Sequence, residues 1–260
     1  MWTRPGLGAR PSRDTARLKL LAVDVGRRQV IPRPRGARPG VPAGWATLDV
    51  GQRRGLTLDR VRRAVEQHHH ALARREQVTF DGFPDPGAPA AVLVAAFEEE
   101  GEARVVLTRR AAHLRTHTGE VSFPGGRLDE GETSEAAALR EAVEEVRLDP
   151  SSVSLIGRLT PLSTFSSAST ITPVVGVLAG RPQLEANPSE VEHVFDVSLA
   201  ELAADGVFRE ERWRVPGRPV SALTDAEGWF PVWFFELPDD TVWGATARML
   251  VELLRLVMDL

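Results

Sequence analysis

The chain has 260 residues, 42% of them hydrophobic and 26% charged, a balance that supports a sizeable buried core and excludes a disordered or fibrous protein. It has no cysteine, which removes disulfide frameworks, thiolate-ligated metals and thiol nucleophiles. The formal charge of -4 conceals two halves: residues 1–75 carry 17 basic and five acidic side chains, the remainder 15 basic and 31 acidic ones. A basic arm suggests an anionic partner and an acidic body suggests cations, and neither inference is specific until residues are assigned.

In chain order, residues 1–55 hold Pro5, Pro11, Pro32, Pro34, Pro39 and Pro42 among many arginines and glycines. They read as a disordered or loosely packed basic extension to a folded domain at 56–260. Their apolar cluster Leu18–Val23 is too short for a secretory signal, so a cytoplasmic location is the default expectation. Apolar residues at helical spacing from Leu56 to Glu66 predict an amphipathic helix, closed by His68, His69 and His70 as a weakly cationic C-terminus rather than a metal site. Ala90–Phe97 and Arg104–Thr108 read as a hairpin across an acidic turn, and the apolar stretch beginning at Ala88 is far shorter than the ~20 residues of a membrane span.

A helix is predicted at 133–146, followed by strands near Val153–Leu162, Ile171–Leu178 and Val191–Val197. A short helix at Leu199–Ala204, strands near Arg209–Val215 and Pro231–Leu237, and a closing helix from Ala245 to Met258 complete the chain. Hairpins mixed with crossovers predict an α+β protein, an α/β/α sandwich with a mixed β-sheet flanked by helices.

The chemistry concentrates between Gly125 and Glu145. Thr133 is placed to cap the helix, with Glu135 in its first turn. At ~100° per residue, Ala136, Leu139, Val143 and Val146 form an apolar stripe, and Glu141, Glu144 and Glu145 gather opposite it. Three carboxylates within one turn repel each other unless a cation sits among them; Arg140 supplies one charge, and a hard divalent ion suits the rest. A lone E-x-x-E-E on a helix is most often a solvated face. Here a glycine loop and Glu132 precede it at a fixed distance.

Gly126, Glu132, Arg140, Glu141, Glu144, Glu145 and Leu148 fit the pattern G-x5-E-x7-R-E-U-x-E-E-x-G-U, where U is bulky and aliphatic, so the chain resembles the Nudix hydrolases. Ala142 is small for its position, and Arg147 replaces the final glycine, at a cost of about 1 kcal/mol if its φ is positive. The resemblance implies the Nudix fold and a Mg²⁺- or Mn²⁺-dependent hydrolase. Glu141 and Glu145 would be the principal metal ligands, Glu144 a ligand directly or through water, and Glu132 a supporting carboxylate. A carbonyl of Gly125 or Gly126 would complete the metal site, and Arg140 would hold the glutamates. The metals would neutralise a pyrophosphate and orient the attacking water. The general base varies within the family and is not assigned.

Upstream, Leu107–Gly126 is similar to the extra motif of the coenzyme A diphosphatase branch, through Thr108, Arg110, Arg115, Gly119, Phe123, Pro124, Gly125 and Gly126. The segments Phe230–Pro238 and Val242–Arg248 also look like that branch. It implies cleavage of coenzyme A or acyl-CoA to 3′,5′-ADP and (acyl-)4′-phosphopantetheine and a homodimeric assembly; substrate contacts are expected at Arg110, Arg115 and Phe123 of the motif and at Arg109 beside them. Arginine forks suit phosphate, although Arg109 is as well explained by an ion pair with a surface carboxylate. His113 and His117 are expected in substrate contact or packing. Trp213, Trp229, Trp233 and Trp243 are expected in the core or a dimer interface, with adenine stacking open to one of them. Two alternatives stand beside this reading: a Nudix enzyme for ADP-ribose, NADH or a nucleoside triphosphate, and a non-catalytic nucleotide- or nucleic-acid-binding protein. The partner expected is a small molecule, not nucleic acid or membrane.

Overall fold

A computed structural model describes residues 29, 31–75, 88–114, 119–163, 169–214 and 224–260. Its elements are β1 (Arg38–Pro39), α1 (Leu58–Arg75), β2 (Ala88–Glu99), β3 (Glu102–Arg110), β4 (Val121–Ser122), β5 (Gly125–Arg127), α2 (Ser134–Val146) and β6 (Val153–Arg158). Then come β7 (Leu162–Ser163), β8 (Ser169–Leu178), β9 (Val191–Ser198), α3 (Leu199–Leu202), β10 (Phe208–Trp213), β11 (Phe230–Glu236), β12 (Thr241–Trp243) and α4 (Gly244–Val257).

Strand β2 organises the molecule because it is buried on both faces from Ala91 to Phe97. Side chains alternate along a strand, so Val92, Val94 and Ala96 enter one core with α1 and α4, whereas Ala91, Leu93, Ala95 and Phe97 enter another with α2. Strand β3 sorts itself the same way: Val105 and Leu107 join the first core and Val106 the second. The expected hairpin joins β2 to β3 through Glu100 and Gly101, both at positive φ, the conformation of a two-residue turn matched to strand twist.

β2 pairs with β8 in parallel and the other pairings are antiparallel, so among the described residues an eight-stranded mixed sheet forms around the order β4-β3-β2-β8-β6. A smaller antiparallel sheet, β1-β10-β11-β12, closes the first core from the other side. Its β11 is again two-faced: Trp233 and Phe235 point into the main core, and Phe230, Val232 and Phe234 form a third cluster with Trp213.

Three expectations need correction. Residues 31–54 are not loosely attached: Ile31 and Ala37 pack on the third cluster, β1 pairs with β10, and Trp45, only 2% exposed, packs against Phe208 and Phe235. The bound at residue 55 therefore falls inside the packed body, because the second sheet's aromatic outer face needs a cover. The three histidines lie within α1 rather than closing it; His68 Nε2 stands 3.1 Å from Glu252 Oε1, tying α1 to α4. Finally, the apolar face of α2 is rotated from the expected stripe. Ala137, Ala138, Ala142 and Val146 are buried with Glu145, and Val143 is 40% exposed. The alanines bring the helix close to β2, and the Glu145 carboxylate, not the largest apolar groups, occupies part of the inward face.

Among the described residues no helix is long and apolar enough to cross a membrane.

Candidate active site

Helix α2 starts as expected: Thr133 is extended and its Oγ1 accepts the Ala136 N–H at 3.2 Å. It ends on Arg147 at φ 55, the left-handed cap that a glycine would occupy without strain. In front of the helix, β5 lies against β2, with Gly125 opposite Val92 and Gly126 opposite Ala91. Any side chain at Gly125 would meet the Ala91 carbonyl, and any at Gly126 would overlap the Glu141 carboxylate. The two glycines therefore let backbone and carboxylates of α2 meet at van der Waals distance.

Arg140 gathers the carboxylates. Its Nε and Nη2 each donate to Glu132 at 3.0 Å, its Nη1 donates to Glu141 at 3.0 Å and Glu144 at 3.3 Å, and its Nη2 also reaches the Arg127 carbonyl at 3.0 Å. The forked pairing holds the Glu132 carboxyl below its ordinary range, helped by the Asp129 N–H at 3.0 Å. The same pairs raise the Arg140 guanidinium further still. Arg140 thus ties the loop before α2 to the helix.

Glu141 and Glu145 have a different environment. Burial is the main cause raising both, with the charge of Glu144 added at Glu141 and that of Glu141 at Glu145; Glu145, 4% exposed, is pushed up to about 8 despite accepting the Gly125 N–H at 3.2 Å. Both are also raised by Glu190, the residue before β9, which the sequence reading did not single out. Its only local signal is the Asn187-Pro188 dipeptide, a turn marker ahead of a strand.

Desolvated carboxylates that repel each other beside backbone carbonyls form the donor set of a hard divalent cation. Among the described residues no three such groups already converge as ion ligands. Arg140 engages one oxygen each of Glu141 and Glu144, and a carboxylate has a second oxygen that can take up an ion.

Strand alternation separates the predicted arginines. Arg110 shares the parity of Val106 and lies on the α2 side, where its charge partly offsets that raising of Glu145. Arg109 shares the parity of Leu107 and turns the other way, into an ion pair with Asp240 at 2.6 Å and a bond to the Asp239 carbonyl at 3.0 Å. It ties β3 to the turn before β12, so its assignment to substrate is corrected. Phe123 is corrected as well: it is 1% exposed and belongs to the core shared with α1 and α4. Arg115 and His117 lie outside the described residues. His113 places Nε2 3.1 Å from the Ser189 carbonyl. Trp213 and Trp233 are buried and bond Glu211 and Glu210, Trp243 stacks with Phe234, and Trp229 lies beneath the Arg38 guanidinium.

A mixed sheet between helices, with a glycine strand facing a glutamate-bearing helix, defines the class, and the family comparison agrees. The NUDIX domain matches residues 87–216, half of the chain. "Nudix hydrolase 22, chloroplastic" of Arabidopsis thaliana is 36% identical over 193 residues, 68% of this chain and 60% of that protein. "Uncharacterized Nudix hydrolase NudL" of Salmonella agona is 34% identical over 189 residues, 71% of this chain and 91% of that protein. The crystal structure of RenU, a Nudix hydrolase from M. smegmatis, aligns with 45% of this chain and 73% of its own at 25% identity and a TM-score of 0.38. The chain belongs to the Nudix family. It spans about 60% of the length of the plant relatives it matches.

Proposed function

We propose that the chain is a divalent-metal-dependent hydrolase that cleaves the pyrophosphate of coenzyme A or acyl-CoA, releasing 3′,5′-ADP and (acyl-)4′-phosphopantetheine. The observation that carries the substrate choice is Arg110, brought by β3 to the same side of the sheet as the carboxylates of α2 and offering a forked donor to phosphate in an acidic body. Glu141, Glu144 and Glu145, with a carbonyl of Gly125 or Gly126, would hold Mg²⁺ or Mn²⁺. When bound, the ions would neutralise the pyrophosphate and lower the pKa of a water.

The protein's own groups do the remaining work. Arg140 keeps the glutamates on one side of α2, and Glu145, bonded to the Gly125 N–H of β5, is only 4% exposed to water. Arg110 binds and orients a phosphate, with Arg115 of the same motif as its proposed companion for the 3′-phosphate.

A substrate panel of CoA, acetyl-CoA, dephospho-CoA and ADP-ribose tests the specificity. CoA and acetyl-CoA should show the highest kcat/KM, and Arg110→Ala should lower it about tenfold or more for CoA while sparing dephospho-CoA. Equal cleavage of dephospho-CoA and ADP-ribose by the wild-type protein contradicts the 3′-phosphate role and favours a Nudix enzyme of broader nucleotide range.

A further inference from the structure

We propose that Asn187 is a positioning residue for this site: its amide fastens the segment 187–190 to the last turn of α2 and so places Glu190 beside the carboxylates of that helix. The proposal rests on the reading that α2 carries the catalytic site.

The last carbonyls of a helix lack partners within it. Here the segment before β9 supplies them. The Glu185 N–H donates to the Val146 carbonyl at 3.0 Å, the Asn187 N–H to Glu145 at 2.8 Å, and Asn187 Nδ2 to Glu144 at 3.2 Å. Two of these three carbonyls belong to the glutamates whose side chains face the site.

The other end of the amide shapes the turn. Asn187 Oδ1 accepts the Ser189 N–H at 3.2 Å and its hydroxyl at 2.7 Å, and the Asn187 carbonyl accepts the N–H groups of Glu190 at 3.0 Å and Val191 at 2.8 Å. Every polar atom of Asn187 is thus engaged, in six hydrogen bonds. An aspartate would retain the two bonds at Oδ1 and lose the donor to α2; alanine would lose both sets. No other side chain of this length offers a donor and an acceptor at once.

A second tether comes from the loop that follows β3. His113 Nε2 donates to the Ser189 carbonyl, and the Ala111 N–H donates to the Glu190 carbonyl at 2.8 Å. Glu190 is therefore fixed between α2 and the strand that delivers Arg110. One segment sets the distance between the metal-binding helix and the phosphate-binding strand, so Asn187 acts on the site through Glu190 and α2 without touching substrate.

The test compares wild-type protein with Asn187→Ala, Asn187→Asp and Ser189→Ala. Mn²⁺ binding is titrated calorimetrically without nucleotide, and kcat, KM and the thermal midpoint are measured alongside. Asn187→Ala should lose about 10–100-fold in Mn²⁺ affinity and in kcat, the range expected for a group that orients metal ligands, with KM within about threefold. Asn187→Asp and Ser189→Ala each remove part of the hydrogen-bond set and should give smaller losses, and Ser189→Ala should keep the wild-type midpoint, so the comparison holds even if the alanine variant folds poorly. Wild-type Mn²⁺ affinity and kcat in a folded Asn187→Asp overturn the proposal. If wild-type protein cleaves no CoA derivative yet the variants still lose Mn²⁺ affinity, the substrate reading fails and the positioning role stands.

Discussion

Glu145 shows how one residue links burial to function. Its carboxyl is raised from 4.5 to about 8, chiefly by burial, so without metal the folded state holds a proton that the unfolded chain releases near its ordinary value. A raised folded pKa contributes stability that is fully present below the unfolded pKa and is lost as pH climbs through the folded one. The metal-free protein should therefore lose stability between about pH 4.5 and pH 8. Chemical unfolding in the presence of a chelator measures it: stability should fall across that window, Glu145→Gln should flatten the fall, and Mg²⁺ should restore the wild-type protein at the alkaline end. A stability independent of pH in this range would show that Glu145 ionises freely. The corrected arginine carries the same lesson. Arg109 and Arg110 are adjacent in sequence and chemically identical, and one step along β3 sends the first to Asp240 and the second towards α2.

At the scale of the element, α2 was legible in the sequence in its bounds, its Thr133 cap and its left-handed Arg147, because capping and carboxylate spacing are local properties. Its orientation was not. Hydrophobic periodicity assigns the inward face to the largest apolar side chains, whereas here Ala137, Ala138 and Ala142 face β2 and allow Glu141 and Glu145 to turn towards the glycines of β5. A local rule yielded to tertiary packing at the candidate site, and departures of this kind concentrate at functional sites. Strands β1, β4, β5, β7 and β12, of two or three residues each, carry too little periodicity to be read at all. Arg147 provides a test at this scale. Its pair with Glu185 is long, at 3.6 Å, and exposed, so replacing it costs little, whereas glycine relieves the positive φ. Arg147→Gly should stabilise the protein by up to about 1 kcal/mol, a rise of roughly 2–4 °C in Tm for a domain of this size. An unchanged or lower Tm would mean that the glycine's extra freedom in the unfolded chain offsets the relief.

For the whole molecule, the sequence conveyed the α+β class and the family because the box lies within one continuous stretch. What it did not convey depends on contacts between distant segments. Residues 31–54 looked like an extension because their prolines and arginines lack periodicity, yet Trp45 reaches the core and Ile31 covers the second sheet. Glu190 and Asn187 were invisible for the same reason, standing more than forty residues from the helix they serve. The molecule places a carboxylate helix, an arginine-bearing strand and a returning segment around one site, and the central claim is that this site breaks a pyrophosphate. Product analysis with CoA and Mg²⁺, for wild-type protein and Glu145→Gln at matched folding, tests it most directly. Formation of 3′,5′-ADP and 4′-phosphopantetheine by the wild type, at least ~10²-fold faster than by the variant, is the predicted result; equal rates for the two proteins, or no pyrophosphate cleavage by either, would contradict it.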